Sequence, residues 1–333
     1  MSQIRALLSR LRPDTYILLI VGMVLLASVL PAHGRATAPF GLATKIAIGL
    51  VFFLHGAKLP REAVIAGVTH WRLHVLILAS TFVLFPVLTL GLAALPGWIT
   101  PAALAPGLIF LGCLPSTIQS SIGFTAIARG NVAATVASAT ASNLLGIVIT
   151  PLLGAALMHT NGGGLSLHSS EAIVFQLLIP FIAGQLLRPW IGGWVSVHSK
   201  LLSFVDRGSI LMVVYTAFSE AVVSGIWTRV GVADLIRLGL LCAGLLAAVL
   251  LITYTAARAL RFNKADEITI VFCGSKKSLA SGVPMAGVLF PGASLGLVLL
   301  PIMIFHQIQL MVSAVIAQQY AERPDDPVTP EHS

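Results

Sequence analysis

The sequence predicts an all-α integral membrane protein with ten transmembrane helices in two inverted five-helix repeats. Three observations lead to this fold class: the composition, a succession of apolar runs, and an uneven distribution of basic residues. Apolar residues make up 57% of the 333-residue chain and charged residues only 10%, and the mean hydropathy is +0.95. Soluble domains carry roughly 25% charged residues, so this chain lacks the polar surface that water requires.

Apolar runs of the length that crosses a bilayer, about 20 residues, follow one another with short interruptions. Turn residues divide them into ten segments. The first five cover residues 15–32, 41–57, 71–95, 104–128 and 132–158. The second five cover residues 171–187, 201–224, 233–260, 268–289 and 293–320.

A Gly-rich connection separates the two sets and defines the predicted domains. Residues 1–160 form a first repeat, 161–170 the connection, 171–320 a second repeat and 321–333 a polar tail. An odd number of helices per repeat inserts the second repeat upside down relative to the first, as in many secondary transporters.

The basic residues predict the orientation. In the ten-segment arrangement most lysines and arginines fall on one side, and the opposite side receives only Arg35, Arg229 and Arg237. Because basic residues stay on the cytoplasmic side, both termini are expected in the cytoplasm, here of a bacterial inner membrane. The same scatter along segment ends argues against nucleic-acid binding, for which a basic stripe would be expected.

The fourth segment contains the first sign of a site. Pro115 interrupts it and removes a backbone hydrogen bond, and a polar stretch follows. Its candidate ligands are Ser116, Thr117, Gln119, Ser120, Ser121 and Thr125. Unpaired backbone groups survive in a bilayer only where protein or a water-filled cavity satisfies them. The alternative is a proline kink whose free groups are satisfied by the neighbouring hydroxyls.

The ninth segment carries a matching break. It reads FCGSKKSLASGVP, with Gly274 as the flexible point and Ser275, Lys276 and Lys277 beside it. Ammonium groups this deep cost at least ~2.5 kcal/mol and usually face an interior cavity. Interrupted segments at corresponding positions of two repeats point to a binding site at mid-membrane depth.

A structural ion pair is the alternative for the two lysines. Glu220 is the natural partner, as the one carboxylate deep within an apolar segment. Because successive helical residues point about 100° apart, one lysine could bind a solute while the other braces the fold.

Polar residues also mark the helices that follow each break. Thr135 and Ser138 share a helical face, and Asn143 is an amide that is costly to leave unpaired. His306 and Gln309 punctuate the last segment. Packing between helices is the alternative explanation for the hydroxyl groups.

These stretches, with SNLLGIVITPLL and FHQIQLMV, resemble the bile acid:sodium symporter superfamily, and most closely its SBF-like branch. The resemblance covers nearly the whole chain. It implies ten helices in two inverted repeats, a panel domain and a core domain, and two broken helices that cross near the membrane centre.

The resemblance also bears on ion coupling. It places Thr81 where sodium-coupled members have a glutamine, Ser120 and Ser121 near a Ser-Asn pair, and Thr135 at a hydroxyl ligand. It places Val271 at a ligating glutamate and Lys276 at a polar amide. Exchanging an anionic ligand for a cation makes the usual sodium site electrostatically unfavourable, so Na⁺ coupling is in doubt.

We therefore expect a secondary active transporter that works by alternating access on a small organic anion, a carboxylate or a sulfonate. Lys276 is expected to help hold the anion, and proton exchange on its amine is an alternative to Na⁺ coupling. No other cofactor, metal site or catalytic group is predicted, because no nucleophile-base pair, phosphate loop or zinc motif is present. A non-transporting membrane regulator of ion homeostasis with the same fold is the alternative function. The sequence does not specify the solute or the oligomeric state.

Overall fold

A computed structural model describes residues 15–34, 37–58, 70–159, 174–290, 292 and 294–323. This part of the chain consists of helices and turns, with no strand among these residues. The Gly-rich connection and residues 324–333 of the tail lie outside it.

The helices follow the predicted segments closely. The first six are α1 (Thr15–Val29), α2 (Thr37–Lys58), α3 (Trp71–Ala93), α4 (Ala105–Cys113), α5 (Gln119–Ile127) and α6 (Val132–His159). The next six are α7 (Ile179–Val197), α8 (Ser199–Val223), α9 (Val232–Ala259), α10 (Lys264–Gly274), α11 (Leu279–Leu289) and α12 (Ser294–Ala321). A π-helical turn, Val174–Leu178, leads into α7, and another, Ser80–Leu84, interrupts α3.

Among the described residues, six helices are long and apolar enough to cross a membrane: α2, α3, α6, α8, α9 and α12. Many of their large apolar side chains are exposed on the outer surface of the bundle. A surface of this kind is stable in lipid and unfavourable in water. The protein is therefore an integral membrane protein.

The helices form two groups. In the first, α2 packs along α7, and α8 packs on α1 and α2. Glycines set the α2–α7 contact: a Cβ on Gly56 would lie 2.1 Å from the Phe181 carbonyl oxygen, and one on Gly184 would lie 2.0 Å from that of Phe53. The second group contains α3 to α6 and α9 to α12, and α8 joins the groups by packing on α11 and α12.

Two predicted segments are each divided into a pair of short helices. The fourth gives α4 and α5, with Pro115 in the extended stretch between them. The ninth gives α10, which ends at Gly274, and α11. In both cases the chain leaves the helix for four or five residues within the second group.

Candidate functional site

The two helix breaks lie against each other and exchange hydrogen bonds. The Ser278 amide donates to the Pro115 carbonyl at 2.8 Å, and the Ser116 hydroxyl donates to the Cys273 carbonyl at 2.6 Å. Backbone groups that a break would expose to lipid are thereby satisfied inside the protein.

Buried hydroxyl groups satisfy further carbonyls at the ends of the half-helices that precede the breaks. Thr150 donates to the Cys113 carbonyl at the end of α4, and Ser80 donates to the Gly274 carbonyl at the end of α10, both at 2.8 Å. Helix C-termini leave such carbonyls without intrahelical partners. The two breaks are therefore built into the packed interior.

Lys277 takes part in the same arrangement. Its ammonium group is buried and donates to the carbonyl oxygens of Thr81, Gly112 and Leu114, each at 2.7 Å. The nitrogen also lies 4.2 Å from the centre of the Phe85 ring. All three N–H donors of the ammonium group are used. Lys277 therefore stabilises the first break from inside the protein.

Lys276 points elsewhere and is equally buried. Its ammonium group donates to the Ser313 hydroxyl and lies 4.8 Å and 5.1 Å from the ring centres of Phe124 and Phe272. In the described residues neither lysine pairs with Glu220, so the ion pair considered from the sequence is not formed.

Asn143, on α6, connects the two breaks. Its side-chain nitrogen donates to the Ser116 carbonyl at 2.6 Å and to the Ala139 carbonyl at 3.0 Å. Its side-chain oxygen accepts a hydrogen bond of 2.8 Å from the Ser281 hydroxyl on α11. The Asn143 amide thus connects the Ser116 carbonyl of the first break to α11, the helix that follows the second break.

Gln309, on α12, holds the second break. Its oxygen accepts from the Lys277 amide at 2.9 Å, and its nitrogen donates to the Lys277 carbonyl at 2.8 Å. The same nitrogen lies 2.8 Å from His306 Nδ1. Because the Lys277 backbone fixes which end of the amide is the donor, Nδ1 of His306 is the acceptor in this contact.

A cavity of about 760 Å³ lies between the two helix groups, directly beside the crossing. The walls come from α1, α2, α7 and α8 on one side and from α5, α6, α11 and α12 on the other. Just over half of the lining residues are apolar. The polar ones near the crossing are Thr117, Gln119, Ser120, Thr140, Asn143, Ser278, Ser281, His306 and Gln307.

Charged residues line the end of the cavity away from the crossing. Lys58 at the end of α2 and Asp206 near the start of α8 form an ion pair at 2.6 Å. Arg207 lies next to it, with its guanidinium 5.3 Å from the centre of the Tyr16 ring. Apolar walls thus separate a polar inner end from a charged outer end.

The structure brings five of the predicted ligands to this cavity: Thr117, Gln119, Ser120, Asn143 and His306. The others do not line it and are Thr81, Ser116, Ser121, Thr125, Thr135, Ser138, Ser275, Lys276, Lys277 and Gln309. Most of these are fully buried and bond to neighbouring helices. The expectation that Lys276 faces the bound solute is therefore not supported by its position.

Several of the buried hydroxyls form contacts typical of helix packing. The Thr135 hydroxyl lies 3.2 Å from the hydroxyls of Thr125 and Thr269, and the Ser138 hydroxyl lies 2.6 Å from His74 Nδ1. Ser275 bonds back to a carbonyl of its own helix. The packing explanation therefore accounts for these residues.

Sequence reasoning missed several hydroxyls that line the cavity, among them Ser278 and Ser281 beside the second break. The Ser278 hydroxyl accepts a 3.1 Å hydrogen bond from the Ser281 amide and caps α11. Ser at an N-cap is a recognisable signal, and it would have marked the start of α11 directly after the lysines. Within the described residues no group of three His, Cys, Asp or Glu side chains is placed to hold a metal ion.

Comparison with known proteins identifies the family. The profile of the SBF-like CPA transporter family matches residues 14–322. An uncharacterised Pseudomonas aeruginosa protein is 55% identical over 319 residues, covering 95% of this chain and 96% of that protein. YfeH of Escherichia coli K12, named as a proposed symporter, is 52% identical over 316 residues, with 94% of each chain covered.

A more distant relative comes from an animal. The sodium/bile acid cotransporter 7-B of Xenopus laevis is 27% identical over 322 residues, covering 93% of this chain and 92% of that protein. The matched family is a family of transporters and not of enzymes, and the Escherichia coli and Xenopus relatives are named as a proposed symporter and a cotransporter. This chain belongs to the SBF-like CPA transporter family, within the bile acid:sodium symporter superfamily, and it is a transporter.

Proposed function

We propose that this protein is a secondary active transporter that carries a small organic anion, a carboxylate or a sulfonate, by alternating access. One observation carries the proposal: the first turns of α5 and α11, the half-helices that follow the two breaks, both line the same cavity. Gln119 and Ser120 belong to one, and Leu279, Ala280 and Ser281 to the other.

Two helix N-termini at one cavity favour a negatively charged solute. Each N-terminus carries a partial positive charge and amides that lack helical partners; in α11 the Ser281 amide is already capped by the Ser278 hydroxyl. No side chain caps the first turn of α5 among the described residues. The acidic lining group, Asp206, lies at the far end and is already paired with Lys58. An anionic head group is therefore stabilised at the crossing.

The apolar walls of the cavity favour a solute in which an apolar portion is attached to the anionic head group. Ligand pockets for small molecules usually measure about 300–1,000 Å³ and are mainly apolar, and this cavity has about 760 Å³. Phe52, Phe124, Ile147 and Phe181 are among its lining residues. We therefore propose an amphipathic organic anion rather than a small inorganic one.

The position of the cavity supports alternating access. It lies between the two helix groups, so a rigid shift of one group against the other would close this side and open the opposite side. Its charged end, at Lys58 and Arg207, is the side that the basic residues assign to the cytoplasm. We propose two inverted five-helix repeats in a bacterial inner membrane, with both termini cytoplasmic and this cavity open inward.

The coupling ion is part of the proposal. The name of the Xenopus relative includes sodium, which supports Na⁺, while the resemblance places Val271 at the ligating glutamate of sodium-coupled members. H⁺ is therefore the alternative. The cavity also favours transport over the role of a non-transporting regulator, for which a solute-sized cavity beside the crossing has no evident use.

A binding screen followed by flux measurement tests the proposal. Purified protein is scanned for thermal stabilisation by amphipathic carboxylates and sulfonates, with amines and alcohols of the same carbon skeleton as controls. Hits are radiolabelled and measured in proteoliposomes with Na⁺ or K⁺ and with or without a pH gradient. We expect anions alone to stabilise the protein and to be transported. Stabilisation by the amines instead, or anion binding without any flux, would contradict the proposal.

A further inference from the structure

The ammonium group of Lys277 occupies a site made of backbone oxygens. Three carbonyls, from Thr81, Gly112 and Leu114, each lie 2.7 Å from its nitrogen. They come from two different helices, α3 and the end of α4. The side chain is fully enclosed, and no ion pair joins it to a carboxylate in the described part of the chain.

The local backbone explains why the Thr81 carbonyl is available. In the π-helical turn of α3, the Phe85 amide donates to the Ser80 carbonyl. The next residue, Pro86, has no amide hydrogen to offer. The two residues that would normally satisfy the Thr81 carbonyl are therefore excluded, and its oxygen needs another donor.

The break after α4 frees the other two carbonyls. The helical partner of the Gly112 carbonyl would be the Ser116 amide, which donates instead to the Ser142 hydroxyl at 3.0 Å. Leu114 is extended, with φ −70° and ψ 151°, so its carbonyl lies outside the helical hydrogen-bond pattern. Three buried acceptors consequently converge where the chain itself supplies no amide.

Converging backbone carbonyls can replace the hydration shell of a monovalent cation, as they do in potassium channels. Here the cation is covalently attached. We propose that the Lys277 ammonium is a tethered substitute for an alkali cation: removing the side chain converts these three carbonyls into a site for Na⁺ or K⁺, and with the side chain present transport requires no dissolved cation at this position.

Lys276 provides a matched contrast within the same break. It is equally buried, but its ammonium contacts the Ser313 hydroxyl and two phenyl rings rather than backbone carbonyls. Loss of its charge should not create a site that an alkali cation fills. Lys276 is therefore a matched control for the loss of a buried positive charge from this break.

The test is cation-dependent stability of purified variants at constant ionic strength, with choline chloride as the reference salt. Lys277→Ala leaves the carbonyls in an empty space, whereas Lys277→Met fills that space without a charge. We expect Lys277→Ala to be less stable than wild type in choline. It should regain Tm by about 2 °C or more, in a saturable manner, with NaCl, KCl or methylammonium chloride. Wild type, Lys277→Met and Lys276→Met should show no such gain.

The proposal is overturned if neither Na⁺ nor K⁺ raises the Tm of Lys277→Ala above that of the controls, even where methylammonium does. Should that variant fail to accumulate, Lys277→Gly, which also empties the space, takes its place under the same criterion. Wild-type uptake that is unchanged when choline replaces Na⁺ and K⁺ on both sides further supports the tethered cation. The flux arm rests on the proposed function, but the stability arm needs no substrate. A failed anion screen would contradict the proposed function, whereas a failed cation rescue would contradict the tethered cation, so the two failures can be told apart.

Discussion

Replacing Asn143 with leucine tests whether the crossing of the two breaks and the cavity form one unit. Leucine has a similar size but no hydrogen-bonding group, so it leaves the Ser116 carbonyl and the Ser281 hydroxyl without their present partner. Ser116 is fully buried, and an orphaned buried acceptor costs about 1–3 kcal/mol. The Ser281 hydroxyl keeps a contact of 3.1 Å with the Ser278 hydroxyl. The loss of its bond to Asn143 therefore adds only about 1 kcal/mol of destabilisation.

The expected total is about 2–4 kcal/mol of destabilisation, together with weaker binding of an anionic solute, because Asn143 lines the cavity. Thr150→Val is the control on the same helix. It removes one buried hydrogen bond to a break carbonyl but does not alter a cavity-lining residue. Both variants should have a lower Tm in detergent, and only Asn143→Leu should reduce the thermal shift produced by an anion.

Two outcomes would refute this reasoning. Asn143→Leu with wild-type stability would show that the amide does not hold the breaks together. Equal loss of the anion-induced shift in both variants would show that solute binding depends on general stability rather than on this side chain.

Three further changes follow from the geometry. Gly56→Ala places a Cβ 2.1 Å from a carbonyl oxygen of α7, whereas Gly49→Ala on the same helix meets nothing closer than 3.9 Å; we expect only the first to lower Tm, by overpacking of about 1–3 kcal/mol. Gln309→Leu removes both bonds to the backbone of the second break and should lower both Tm and flux, measured on the same preparation. Asp206→Asn breaks a partly buried ion pair at the outer end of the cavity. It should change stability by less than about 1 kcal/mol and lower the KM for anion uptake, and a higher KM would contradict the charge argument.

Much of the helix arrangement can be predicted from the sequence, because each segment that crosses the lipid needs a long run of mainly apolar residues, even where the helix within it is interrupted. The seventh helix shows the limit of such a prediction. Arg188 and Pro189 suggest that the apolar run ends at Leu187, yet α7 continues to Val197 with Pro189 inside it. A proline and a cation are stop signals only where packing does not favour continuing the helix.

The direction of each lysine could not be predicted. The rule that neighbours point about 100° apart applies to a helix, but Lys276 and Lys277 lie in the non-helical stretch between α10 and α11. Which of them reaches the end of α4 depends on how the two breaks pack. The cavity residues on α2 and α8 were missed for a similar reason, since they become neighbours of the crossing only when the two helix groups dock.

The backbone hydrogen bonds of the crossing favour an anionic solute, and they do so for a reason that is separate from the helix dipoles. Carbonyls at the ends of α4 and α10 accept from Lys277, Thr150, Ser80 and Ser116. These acceptors are therefore occupied by buried donors that a solute cannot easily displace. The first turn of α5, by contrast, has no side-chain cap in the described structure and lines the cavity. Among the backbone groups of the crossing, a solute therefore meets uncapped donors of α5 rather than free carbonyls, and among the described residues that line the cavity the unpartnered buried acceptors are the side-chain oxygen of Gln307 and one carboxylate oxygen of Asp206.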